Sequence, residues 1–216
     1  MDIRWTLLIL FTLTGVSFTV SPDESGPQNC SSQLQLFNRM LADVELADAC
    51  FPKPPTVWSS QQLAMMLLHM RNLNEKMHKH HLTECEMAQP KNCTALEVPE
   101  NGGLACVTIA MRRFCRPLCH HGYDFAFIKG SPTYVECSEQ TRFRWSTQYV
   151  GGNKVAVCHW SRLPPQTGNM YFPKSQNCLT TKQSSELTQN ILEDLISEVK
   201  RQGIDGAAES ACLLCG

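Results

Sequence analysis

This chain of 216 residues contains twelve cysteines, whose thiols can form disulfides, bind metals or act in redox chemistry. In proteins that mature in an oxidising compartment, an even number of cysteines is typical of a disulfide framework, not of a metal or redox site. Cys212 and Cys215 have the CxxC spacing of redox proteins, but a redox pair normally begins a helix whose N-terminus lowers the thiol pKa. Only Gly216 follows this pair. We therefore predict structural bridges for both cysteines and no free thiol in the chain.

Histidines form a second group with chemical potential. His78 and His81 are three residues apart, so on a helix they share a face and could bind zinc, and His120 and His121 form a further pair. The alternative is that His78, His80 and His81 end a helix, where its dipole favours a positive charge. We predict no metal site and no cofactor, with weak zinc binding or a pH-sensitive surface as the alternatives.

The sequence lacks the usual motifs of enzymes. It contains no HExxH, no glycine-rich phosphate loop and no serine nucleophile elbow with its partners, so we predict a non-catalytic protein. Its 19 basic and 20 acidic residues nearly balance. Such a balance gives no overall field that would attract nucleic acid or a membrane surface.

Arginines provide a local charge instead. Residues 91–160 contain eight basic and five acidic residues. Five arginines in this stretch are candidate binding residues: Arg112, Arg113, Arg116, Arg142 and Arg144. We predict that they form an exposed basic face that binds a sulfated glycosaminoglycan or an acidic protein surface through charge-assisted contacts. An ordinary solvated surface is the alternative.

The N-terminal residues predict export. Residues 5–14 are mostly apolar and are followed by the small residues Gly15 and Ser17, a pattern typical of a cleavable signal peptide over residues 1–20. The run is shorter than the ~20 apolar residues that span a membrane, so an uncleaved anchor is the weaker alternative, and no later stretch is long enough to span a bilayer. Asn29 and Asn92 begin glycosylation sequons, although each sequon has a cysteine in its middle position. We expect a secreted, extracellular protein without a membrane span after cleavage.

Apolar periodicity predicts three amphipathic helices. The first follows Cys30, the second begins near Ser59, and the third runs from Ser184 to Gly203. Their apolar faces comprise Leu34, Phe37, Leu41 and Val44; Leu63, Met66, Met70, Leu73 and Met77; and Leu187, Ile191, Leu195 and Val199. Between the second and third helices, short runs of β type are separated by Gly and Pro.

The β-type stretch over residues 91–160 resembles a sushi, or complement control protein, module. The landmarks in order are Cys93, Pro99, Asn101-Gly102, Cys119 with Gly122 and Tyr123, Cys137, Trp145 and Cys158. The resemblance implies bridges from Cys93 to Cys137 and from Cys119 to Cys158, with Trp145 in the core. It also implies a binding module of the kind found in complement regulators and adhesion proteins.

Two features of this stretch follow from the residues themselves. Cys106 and Cys115 are an additional pair, and their spacing fits a hairpin stapled at its base. Gly102 and Gly122 would permit turns with a positive φ.

These observations predict a mixed α and β fold, in which a small disulfide-stapled all-β module is flanked by amphipathic helices. The predicted parts are a signal peptide (1–20), a helical region (21–90), the sushi-like module (91–160) and a C-terminal loop, helix and cysteine-rich tail (161–216). The pairing of the remaining six cysteines stays open: Cys30, Cys50, Cys85, Cys178, Cys212 and Cys215.

The leading functional prediction is a secreted binding protein that engages an extracellular protein or a glycosaminoglycan. A secreted helical signalling factor and a self-associating component of an extracellular coat are the alternatives.

Overall fold

The structure is a computed structural model in which residues 32–50, 58–86, 89–90, 92–126, 131–146, 153–162 and 168–216 are described. The chain divides into two compact units, residues 1–59 and Ser60–Gly216. The predicted signal peptide and the sequon at Asn29 lie outside the described residues.

One helix is described in the first unit. Helix α1 (Gln33–Cys50) begins close to the predicted position and buries none of its residues. The apolar side chains predicted on one face, among them Leu34 and Phe37, are exposed to solvent.

In the second unit, the described residues form three helices and six strands. In chain order they are α2 (Ser60–Thr83), β1 (Gly102–Ile109), β2 (Arg112–Cys119), β3 (Tyr123–Phe125), β4 (Val135–Cys137), β5 (Cys158–Trp160), α3 (Cys178–Gln183), α4 (Ser185–Arg201) and β6 (Ala208–Cys215). None of the helices in the described parts of the chain is long and apolar enough to cross a membrane.

Helix α4 begins and ends where its sequence signals predict. Ser184 caps α4, because its side chain accepts a hydrogen bond from the backbone N–H of Leu187. Gly203 has a φ of +79° just beyond the other end of α4, a conformation that glycine adopts without strain. The short helix α3 was not predicted, although Asn177 and Thr180 form a capping box at its start.

A four-stranded antiparallel sheet in the order β4-β2-β1-β6 is the centre of this unit. β1 and β2 form the predicted hairpin, with Cys106 directly opposite Cys115. Ala110 and Met111 form its two-residue turn, with φ values of 49° and 57°. β6 comes from the C-terminal end of the chain and pairs with the free edge of β1. A second sheet consists of β3 and β5.

Both faces of the central sheet are covered. Successive side chains of a strand point to opposite faces, and every residue of β1 is buried. Ala105, Val107 and Ile109 pack against Leu195 and other apolar residues of α4. Leu104 and Cys106 point to the other face, where the buried cluster contains Trp145, Val135 and Val155.

Five disulfides link the described residues of the second unit. The pairs Cys93–Cys137, Cys119–Cys158 and Cys106–Cys115 are present as predicted. Cys85–Cys212 and Cys178–Cys215 resolve four of the six cysteines whose pairing was open, and each cysteine of the CxxC pair is bridged to a cysteine elsewhere in the chain. Cys50 is exposed and outside these bridges, and Cys30 lies outside the described residues.

Trp145, predicted as the core tryptophan, is buried. Its indole N–H donates a hydrogen bond to the carbonyl oxygen of Thr94 at 3.0 Å. Tyr123 is half-buried and begins β3, and Gly122 has the predicted positive φ, 88°. The prediction for Gly102 was wrong, because the positive φ belongs to Asn101. Gly102 is required for close approach instead, since a Cβ atom there would lie 2.3 Å from the carbonyl oxygen of Leu118.

The predicted domain boundaries do not separate compact units. β6 lies beyond the predicted boundary at residue 160, yet it is hydrogen-bonded to β1 along nearly its whole length. α2 lies before the boundary at residue 90 and belongs to the same unit as the sheet. Strand pairing and bridges therefore join three of the predicted parts into one structure.

Candidate functional site

A cleft of about 510 Å³ opens on the sheet face that lies opposite α4. The end of α2, an extended segment over residues 95–98 and the central strands form its walls. The lining is mostly apolar and comprises His78, Leu82, Cys85, Glu86, Gln89, Ala95, Leu96, Glu97, Val98, Leu104, Cys106, Arg113, Cys115, Trp145 and Leu214. Ligand sites in proteins have this character, with apolar walls and a few placed polar groups.

The extended wall is held by contacts at both ends. Trp145 binds the carbonyl oxygen of Thr94 as described, and the Thr94 hydroxyl donates to Oδ1 of Asn153 at 2.9 Å. The backbone N–H of Glu97 donates to the carbonyl oxygen of Asn153 at 3.0 Å. Because these contacts are made by the segment itself, the wall is formed before any ligand is present.

The helical wall is attached to the sheet at the end of α2. Cys85 is bridged to Cys212 of β6, and Nε2 of His81 accepts a hydrogen bond from the backbone N–H of Cys215 at 2.8 Å. Lys182 of α3 contacts Glu84. Burial raises the pKa of Glu84, but hydrogen bonds from Lys182 and His81 outweigh it, so the net pKa of this carboxyl is lowered.

Arg113 brings a positive charge into the apolar lining. Arg113 is buried, with only 2% of its surface exposed. Nη1 donates to Oγ1 of Thr108 at 3.0 Å, and Nη2 donates to Sγ of Cys212 at 3.2 Å. Burial lowers the pKa of Arg113 to about 10. The guanidinium therefore stays charged at neutral pH, in surroundings where charge–charge attraction is stronger than in water.

The predicted basic face over Arg112, Arg113 and Arg116 is not present. Because side chains alternate along β2, Arg113 points to the cleft, whereas Arg116 points to α4. Arg116 is 0% exposed and pairs with Asp194 at 2.7 Å and Glu198 at 2.5 Å. Arg112 pairs with Glu136 at 2.8 Å. Two of the three arginines are thus buried, and the third is partnered by a carboxylate.

Arg142 and Arg144 are exposed, in the turn that follows β4. They do not line the cleft, so the structure does not bring the five predicted arginines together. Their role in binding stays a prediction.

The remaining candidate residues are placed as follows. No group of three potential metal ligands is present among the described residues. His78 lines the cleft, whereas His81 supports its helical wall. Asn92 is exposed beside the bridged Cys93.

The cleft itself was missed by the sequence analysis. Its walls come from α2, the 95–98 segment, β1, β2 and β6, which are far apart in sequence. The one available signal was the arginine doublet Arg112-Arg113 in a β-type run, because alternation must place one of the two side chains on the inner face.

No protein family model, no curated protein and no solved structure matches this chain.

Proposed function

We propose that this chain is an exported, non-catalytic binding protein whose cleft holds an apolar segment carrying a carboxylate from an extracellular protein. The observation that carries the proposal is the preformed apolar cleft with the buried charge of Arg113 in its wall. Its volume of about 510 Å³ lies within the range of roughly 300–1,000 Å³ typical of ligand sites. A carboxylate would make a charge-assisted contact with the guanidinium, and apolar side chains would cover the rest of the lining.

The bridges support export. Ten cysteines in five disulfides are typical of proteins that mature in an oxidising compartment. The apolar N-terminal run with Gly15 and Ser17 agrees with this, since it has the form of a signal peptide.

We further propose that residues 91–160 are a sushi-like module built into a larger unit. The first-to-third and second-to-fourth order of Cys93–Cys137 and Cys119–Cys158 supports this, as does the buried Trp145. The departure is that β1 also pairs with β6 from outside the module. The binding unit is therefore residues 60–216, not the module alone.

A protein partner is favoured over a glycosaminoglycan. Sulfated chains are bound through clusters of exposed basic side chains, and Arg113 and Arg116 are buried in this structure. The exposed Arg142 and Arg144 alone leave a small basic surface.

A selection experiment tests the proposal. The mature secreted protein is immobilised and used to select from a displayed library of random peptides. We expect enrichment of peptides that combine apolar residues with Asp or Glu. Ala95 is exposed and lines the cleft, so Ala95→Trp should block the cleft and weaken binding at least about tenfold, a loss of roughly 1.4 kcal/mol.

The matched control is Ala207→Trp, at an exposed alanine that does not line the cleft. It should bind the selected peptides as the unchanged protein does. Selected peptides that bind the Ala95→Trp variant with full affinity would place the site elsewhere.

Self-association is a second candidate, favoured by the surface of α2. Eight large apolar residues of this helix, including Met65, Leu67 and Leu68, have 39–59% of their surface exposed to solvent. Exposed apolar patches of this extent mark interaction surfaces. Sedimentation of the mature protein tests it: a monomer at all concentrations would exclude this candidate.

A further inference from the structure

Two disulfides lie side by side next to the cleft, and three of their four cysteines, Cys85, Cys106 and Cys115, line it. Cys106 of β1 is opposite Cys115 of β2 on one side and opposite Cys212 of β6 on the other. Cys106 is bonded to Cys115, and Cys212 is bonded to Cys85 at the end of α2. Cys115, Cys106 and Cys212 therefore lie in a row across three neighbouring strands. The fourth cysteine, Cys85, comes from the helical wall of the cleft.

Cys212 is the most accessible of the ten bridged cysteines that the structure describes. The other nine are buried, whereas Cys212 is half-buried. Thiol–disulfide exchange requires a thiolate to reach one sulfur of the bridge, so accessibility is the first condition for reaction.

Arg113 supplies the second condition, because its Nη2 lies 3.2 Å from Sγ of Cys212. Exchange proceeds through a state in which negative charge is shared among the attacking, central and leaving sulfurs. A cationic neighbour lowers the thiol pKa and stabilises the thiolate. No other bridged cysteine in the described part of the chain has an arginine contact of this kind among its hydrogen bonds.

We propose that Cys85–Cys212 is a site of thiol–disulfide exchange with an extracellular dithiol, and that its reduction releases the end of α2 from the sheet. The thiolate of the dithiol attacks Sγ of Cys212, and Cys85 leaves as a thiolate that takes up a proton. The second thiol of the reductant then attacks the mixed disulfide, and Cys212 leaves as a thiolate beside Arg113. Two electrons reduce one bridge to two thiols, and the dithiol becomes a disulfide.

Release of Cys85 would change the cleft. The covalent tie between α2 and β6 is lost, and polar contacts of His81 and Glu84 remain. Because Leu82, Cys85 and Glu86 line the cleft, its helical wall becomes mobile on reduction. This inference concerns the bridge and does not depend on the nature of the bound ligand.

Partial reduction of the intact secreted protein tests the inference. Limiting dithiothreitol is added under native conditions, samples are quenched with N-ethylmaleimide, and labelled cysteines are mapped by mass spectrometry. We expect Cys85 and Cys212 to be labelled first, roughly ten times faster than Cys93 and Cys137. Equal rates for all bridges, or earlier labelling of any other bridge, would overturn the inference.

The role of Arg113 has its own test. Arg113→Gln should slow labelling of Cys85 and Cys212 about tenfold, and Arg113→Lys should restore much of the rate. A second measurement needs no variant and compares two thiols of similar size at equal thiolate concentrations. The anionic thiol mercaptoethanesulfonate should react faster at this bridge than cationic cysteamine, because Arg113 attracts the anion. Faster reaction with cysteamine, or unchanged labelling in a folded Arg113→Gln protein, would contradict the role of Arg113.

Discussion

At Arg116, a full positive charge is held inside the protein by carboxylates of one helix. Glu198 also accepts hydrogen bonds from the backbone N–H and the hydroxyl of Thr133, at 2.9 and 2.6 Å, and from the side chain of Asn169 at 3.2 Å. This network joins β2, α4 and two loops. Removal of one partner would leave the opposite charge buried and unpaired, which strongly lowers the free energy of unfolding.

Arg116→Ala should therefore destabilise the protein by roughly 3–5 kcal/mol, as measured by denaturant unfolding. Arg142→Ala, at an exposed arginine, is the control and should change the stability by less than about 0.5 kcal/mol. Equal effects of the two substitutions would show that the Arg116 network contributes little.

The same network predicts loss of stability in acid. Burial raises the pKa of Glu198, but hydrogen bonds from Thr133 and the charge of Arg116 outweigh it, and the net pKa lies below the ordinary 4.5. A carboxyl with a lowered folded-state pKa stabilises the protein above its unfolded-state pKa, and this contribution is lost as pH falls through the folded-state value.

We thus expect the free energy of unfolding to decrease as the pH falls below about 4.5. Denaturant unfolding at pH 7, 4 and 3 measures this decrease. In Glu198→Gln the stability should be lower at pH 7 and should depend less on pH in the acid range. An identical pH dependence in the variant would exclude Glu198 as a source of acid sensitivity.

Among the elements, the β1–β2 hairpin has an unusual turn. Two-residue hairpin turns with a positive φ at both positions favour Asn-Gly, whereas here the residues are Ala110 and Met111. A positive φ costs a residue with a side chain roughly 1–2 kcal/mol. Met111 is also 78% exposed, so its side chain contributes little packing.

Replacing the turn by Ala110→Asn with Met111→Gly should raise the stability by about 1 kcal/mol. Thermal unfolding measures the gain. Met111→Ala is the control, because alanine keeps the cost of the positive φ that glycine removes. A loss of stability in the Asn-Gly variant would show that the turn has another conformation.

Helices α1, α2 and α4 and the β1–β2 hairpin could be predicted from local sequence signals, whereas the edge strand β6 could not. The apolar spacing of α4 and the paired cysteines of the hairpin act over short distances along the chain. β6 pairs with β1 across about a hundred residues, as Cys106 opposite Cys212 shows. No local pattern in residues 208–215 identifies β1 as the partner, so these residues were predicted to be part of a cysteine-rich tail.

The arginines show a second limit of sequence reasoning. Charge predicts exposure for most arginines, and this held for Arg142 and Arg144. It failed for Arg113, because Thr108 on the neighbouring strand of the hairpin accepts a hydrogen bond from it. It failed for Arg116, because Asp194 and Glu198 supply carboxylates from a distant part of the chain. Clustering in sequence also suggested one face, whereas strand alternation places neighbours on opposite faces.

At the scale of the whole molecule, one unit contains the sheet, the five bridges and the cleft. Its two bridges outside residues 91–160, Cys85–Cys212 and Cys178–Cys215, both end on β6. The C-terminal strand is thereby fixed to the end of α2 and to α3. The walls of the cleft depend on these long-range connections, which shrink the unfolded ensemble and stabilise the fold.

Export makes a prediction for the whole chain. Expressed in animal cells, the protein should be recovered from the medium with a new N-terminus near Ser17 to Ser21, because the preceding run has signal-peptide form. N-terminal sequencing of the secreted protein identifies the cleavage site. Retention of a full-length, reduced chain inside the cell would contradict export.

The most direct test of the binding site is photo-crosslinking with a peptide from the selection, in which one apolar residue is replaced by benzoylphenylalanine. Mass spectrometry of the crosslinked mature protein identifies the contacted segment. We predict crosslinks to residues 95–98 and 82–86, which form the two walls of the cleft. Crosslinks confined to the exposed turn with Arg142 and Arg144, or to the first half of α2, would contradict the assignment of the cleft as the binding site.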